Sequence, residues 1–120
     1  MNIEQLREYC LNKKETSEGF PFNDNVLVFK VFGKMFVLTG LDSWEKSEAA
    51  INLKADPHYS EELRAEYSSI RPGYHMSKKH WNTLYIDEGQ LESKLILKLI
   101  DHSYDMVVKT LPKKLQDTLK

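Results

Sequence analysis

Two β-rich runs, residues 26–32 and 35–39, are separated by only Gly33-Lys34. A gap that short closes only as a tight turn, and glycine tolerates the positive φ such a turn demands. An antiparallel hairpin is therefore the fixed point around which the rest of the chain must be arranged. Phe29, Val31, Phe36 and Leu38 supply aromatic and branched side chains to both of its faces, as expected where one face meets helices and the other is partly covered.

The flanking segments read as helices and shorter strands. Asn2, with Gln5 three positions on, forms a capping pair, and Ile3, Leu6, Tyr9 and Cys10 give a helix from residue 3 to about residue 13 one apolar face. Residues 15–25, with Gly19 and Pro21, read as a loop, and so do the polar residues 41–48. A third strand is expected over residues 50–54. Asp56-Pro57 then starts a helix to about Tyr67, with Tyr59, Leu63 and Tyr67 on its buried stripe. Residues 68–73 break that helix. Residues 74–76 and 81–86 read as the arms of a second hairpin, with Ser77, Lys78 and Lys79 at its tip. A long helix follows, banded by Leu91, Leu95, Ile96, Leu99, Ile100, Met106 and Val107; it ends at Leu111-Pro112, and residues 113–120 form a short helix or fray. Strands and helices are grouped rather than strictly alternated, so the expected class is α+β, a two-layer sandwich of antiparallel sheet on helices in one domain spanning residues 1–120.

Bulk charge narrows the function. Seventeen basic against eighteen acidic residues give a net charge of -1, so no overall field draws the molecule to polyanions or anionic lipid. No window is long and apolar enough for a membrane span, and the start lacks a basic tip before an apolar run, so a cytoplasmic protein without membrane contact is expected. The lone cysteine, Cys10, excludes an internal disulfide and reads as a core filler. The five glycines are scattered singly, which leaves no phosphate-binding loop. Asp101, His102 and Ser103 are consecutive in a helix and diverge by about 100° each, so they cannot form a catalytic relay. His75 and His80 are too few for a metal site, and the carboxylates Glu4, Glu8, Glu15 and Glu18 are interspersed with basic residues. No enzyme activity, cofactor or metal is expected.

One local patch departs from the neutral average. Arg71, His75, Lys78, Lys79 and His80 fall within ten acid-free residues, with Tyr74 and Trp81 among them. Cations there can meet phosphates while a ring stacks on a base, binding weakly and with an affinity that drops as salt rises. The competing reading is a solvated turn whose lysines discourage strand pairing, with Trp81 as a buried anchor.

Phe20-Pro-Phe22, Val28 to Val31, Gly33 to Phe36, Asn52 to Lys54 with Asp56-Pro57, the run from Pro72 to Thr83, and Ser103-Tyr104 together resemble the MmcQ/YjbR family over nearly the whole chain. The resemblance implies a CyaY-like fold, with an antiparallel sheet packed on the terminal helices. It also implies DNA binding through a pair of hairpin wings, which falls on His75, Lys78, Lys79, His80, Trp81 and Asn82, with Lys30 and Lys34 on the first hairpin. Ser77 stands where that family often has Asn, and Ala55 where Cys is frequent. Iron binding is not carried over from the frataxin-like fold, because the acidic ridge is missing. The expected function is thus DNA binding; the alternative is a protein-interaction or regulatory adaptor, in which the second hairpin and exposed Trp44 or Tyr74 meet a protein partner.

Overall fold

The computed structural model describes residues 1–120. Its elements are α1 (Ile3–Leu11), β1 (Thr16–Gly19), β2 (Val26–Val31), β3 (Lys34–Gly40), α2 (Leu41–Glu45), β4 (Ala50–Lys54), α3 (Pro57–Glu66), β5 (Ile70–Pro72), β6 (Trp81–Tyr85), α4 (Ser93–Val108) and α5 (Lys113–Thr118). All six strands join one antiparallel sheet in the order β1-β2-β3-β4-β6-β5, which is the α+β class expected. No helix is long and apolar enough to cross a membrane.

Local chemistry explains where the helices begin. The Asn2 side chain accepts from the Gln5 N–H at 2.8 Å while the Gln5 side chain accepts from the Asn2 N–H at 2.9 Å, so two otherwise orphaned donors are satisfied at the start of α1. Asp56 accepts from the His58 and Tyr59 N–H groups, and Pro57 occupies the first helical position, where no hydrogen-bond donor is needed.

Leu27, Phe29, Val31, Ile51, Leu53 and Leu84 share one side of the sheet and pack with Leu6 and Cys10 of α1, Leu63 of α3, and Ile96, Leu99, Ile100 and Val107 of α4. Burying a side chain as large as Phe29, which is 0% exposed, contributes about 2–3 kcal/mol relative to exposure. A bulge adjusts this layer. Phe29 pairs with Val37 but Lys30 with Met35, so Phe36 is the extra residue and joins Val37 in the core, its ring edge-on to Tyr104 of α4 at 5.4 Å. Ser103, also in α4, donates to the Phe36 carbonyl at 2.6 Å and accepts from the Lys54 N–H at 2.8 Å, tying the long helix to β3 and β4.

Several boundaries differ from the expectation. β1 lies in the presumed loop: Thr-Ser-Glu-Gly carries no apolar alternation because it is an edge strand whose residues are only partly covered. α2 occupies the other presumed loop, and Trp44, expected to be exposed, packs against the core with its indole N–H donated to Thr39 at 2.8 Å. The first turn is made by Phe32 and Gly33 rather than Gly33 and Lys34, with φ of 46° and 78°, so two left-handed residues close the hairpin and Lys34 opens β3. In the second hairpin the first arm is β5, at residues 70–72; residues 74–76 pair with no strand, and the connection is the longer loop 73–80.

Candidate functional site

Strand alternation sorts the side chains into two populations. Because Leu27, Phe29 and Val31 face the helices, Val28 and Lys30 face away, and the pairings carry the same division across the sheet. The helix-free side therefore holds Ser17 and Gly19 of β1, Val28 and Lys30 of β2, Met35 and Leu38 of β3, Asn52 and Lys54 of β4, Trp81, Thr83 and Tyr85 of β6, and Arg71 of β5. No Asp or Glu occupies any of these positions. Val28 and Leu38 are buried here and stand apart from the main core cluster.

Trp81 sits directly opposite Lys54. Thr83 donates to the Asn52 side-chain oxygen at 2.6 Å and accepts from the Tyr74 N–H at 3.2 Å, while Asn52 donates to the Leu38 carbonyl at 3.4 Å. This chain of polar contacts starts the 73–80 loop on the helix-free side. Gly73 makes the approach possible: a Cβ there would lie 3.0 Å from the Trp81 Cβ. Tyr74 follows, 69% exposed, with its ring 4.0 Å from that of His75, and His75 adopts a left-handed φ of 58°. Lys78, exposed, donates to the Gly73 carbonyl at 3.2 Å, and Lys79 is exposed beside it. His80 is half-buried, its carbonyl accepting from the Ala55 N–H.

Of the residues singled out in the sequence, the structure gathers Lys30, Trp81 and the loop residues Tyr74, His75, Lys78 and Lys79 on this side or in the loop that leaves it. Three others are placed differently. Asn82 is 2% exposed and turned inward, donating to Ser60 at 2.9 Å and accepting from Arg64 at 2.7 Å, so it is an internal strut and not a surface contact. Lys34 pairs with Val31, which turns it to the helix side, where it reaches the Thr110 hydroxyl at 3.4 Å; it does not act with Lys30. Arg71 is not a free cation. Its Nη2 lies 2.9 and 2.8 Å from the two Glu88 carboxylate oxygens, and the guanidinium lies 4.3 Å over the Tyr85 ring. The Ser69 hydroxyl and then Arg71 hold the Glu88 carboxyl below its ordinary range.

Two residues escaped the sequence reading. Lys54 joins the cluster through its position opposite Trp81, although strand alternation alone marks it as facing away from Leu53. Arg64 donates to the Asn82 side chain and to the Lys78 and Trp81 carbonyls at 2.7, 2.5 and 3.1 Å, which fixes the C-terminal end of the basic loop; no local sequence signal announces this. Lys30, Lys54, Lys78 and Lys79 take part in none of the ion pairs. No three His, Cys, Asp or Glu side chains come together to hold a metal ion.

The YjbR family model matches residues 11–106. YjbR of Escherichia coli K12 is 32% identical over 112 residues, covering 93% of this chain and 92% of its own. YbdF of Escherichia coli O157:H7 is 40% identical over 101 residues, covering 84% and 80%. Both are described as uncharacterized proteins. Among solved structures, Deinococcus radiodurans protein DR2400, a DUF419 domain, superposes with a TM-score of 0.87 at 36% identity, covering 98% of this chain and 87% of that one. A Pseudomonas syringae protein gives 0.73 at 28% identity, covering 88% and 98%.

Proposed function

The chain belongs to the YjbR family, and with that as premise we propose that it binds DNA, meeting phosphates with Lys30 and Lys54 on the helix-free face and with Lys78 and Lys79 in the adjoining loop. The observation that carries this reading is the asymmetry of charge: the outward positions of the sheet include Lys30, Lys54 and Arg71 and no acid, on a molecule of net charge -1. Four unpaired lysines release few counterions, so binding is weak and salt-sensitive. Fluorescence anisotropy with labelled DNA tests it: binding at about 50 mM salt that weakens as salt rises and falls in Lys78→Ala/Lys79→Ala supports it, and none at that salt overturns it.

A second reading, a protein-interaction or regulatory adaptor, is favoured by a different region. Phe20 and Phe22 are 48% and 61% exposed, and Phe20 borders a groove lined by Ile3, Leu27, Leu41 and Trp44. Large exposed rings beside an apolar groove are what a protein partner recognises. Recovery of one stoichiometric partner after nuclease treatment, lost in Phe20→Ser/Phe22→Ser, supports this reading; nuclease-sensitive recovery counts against it.

A further inference from the structure

We infer that the helix-free face takes single-stranded DNA in preference to duplex, with Trp81 and Tyr74 stacking on unpaired bases; this rests on the DNA-binding reading above. Lys30 pairs with Met35 across β2 and β3, and Lys54 with Trp81 across β4 and β6, all four on the helix-free side. Neighbouring strands lie about 4.8 Å apart, so Lys30 and Lys54 stand roughly 10 Å from each other with a flat ring beyond them. Cations along a backbone track, with rings beside it, are the chemistry of a single strand whose bases have left their stack. Inside a duplex the base faces are already occupied by one another, and neither Trp81 nor Tyr74 has a face to meet.

Groove entry by the hairpin tips fits the geometry less well. Lys34 turns away to the helix side, so the first tip lacks an outward cation to match Lys78 and Lys79 on the second, as a pair of wings needs. The Tyr74 N–H, donated to the Thr83 hydroxyl, instead ties the start of the loop to the same face as Trp81.

Anisotropy titrations with labelled single-stranded DNA and the matching duplex test this. We expect single-stranded DNA to bind about tenfold tighter than duplex. Because Tyr74 is largely exposed, Tyr74→Ala leaves the fold intact; it is expected to weaken single-strand binding about tenfold while duplex binding stays unchanged. Equal affinity for single strand and duplex, or single-strand affinity unmoved in Tyr74→Ala, overturns the inference while the DNA reading stands. Absence of binding to every probe overturns the inference together with the reading beneath it.

Discussion

Arg64 of α3 donates its Nε–H to the buried side-chain oxygen of Asn82 in β6 at 2.7 Å, and its other end holds the Lys78 and Trp81 carbonyls. One side chain thus couples the interior of the sheet to the shape of the basic loop. Arg64→Ala strands the Asn82 oxygen and is expected to cost about 2–3 kcal/mol, read as a lower midpoint in urea unfolding. Arg64→Lys recovers only part of the loss, because a single ammonium cannot reproduce the guanidinium fork.

Charge pairing ranks the cations. Lys78→Ala/Lys79→Ala is expected to lower DNA affinity and reduce the slope of log K against log salt by about 1.4 for a single strand. Arg71→Ala should change affinity far less, since Glu88 already neutralises it. Glu88→Gln releases Arg71 and should tighten binding. A Glu88→Gln variant that binds no better would refute this ranking.

Gly73→Ala places a methyl 3.0 Å from the Trp81 Cβ and 3.1 Å from the Trp81 carbonyl oxygen. Neither is the end of a flexible side chain, so a cost of about 1–3 kcal/mol is expected. Gly19→Ala meets nothing within 4 Å and serves as the control. Comparison of the two by thermal unfolding should show a loss at residue 73 only.

The His102 imidazole accepts the Asp56 N–H at 3.2 Å through Nε2 and packs edge-on to Tyr59. Burial first and Lys109 second hold it below its ordinary value, with Asp105 and Asp56 opposing. Its neutral form is the one the fold favours. The stability it contributes is therefore present above the unfolded value of about 6.5 and is lost as pH falls through the lower folded value. Melts from about pH 7.5 to about pH 5 should show this decline, and His102→Gln should flatten it.

Cys10 is fully buried, and burial pushes its thiol up to about 12. The native protein should therefore resist a thiol reagent that labels it rapidly once denaturant is added. Labelling of the folded chain at the unfolded rate would contradict the packing of α1.

The first hairpin, the two terminal helices and the cap at Asp56-Pro57 were legible because each rests on residues adjacent in sequence. β1 and β5 were not, since Thr-Ser-Glu-Gly buries little, Ile-Arg-Pro buries only Ile70, and both owe their pairing to a neighbouring strand. The bulge at Phe36 likewise depends on a register that no local pattern encodes. At the candidate site the sequence marked the cluster around Lys78 and Lys79. It could not tell inward Asn82 from outward Trp81, nor foresee Glu88 beside Arg71 from seventeen residues away. Long-range partners, more than residue type, decide which charges stay free.

With all the helical packing on one side of the sheet, the work of folding and the work of contact fall on alternate residues of the same strands. Lys30, Lys54 and Trp81 can be exchanged while Phe29, Leu53 and Leu84 keep their places. Substitution on the open side thus alters what the sheet presents without renegotiating its interior.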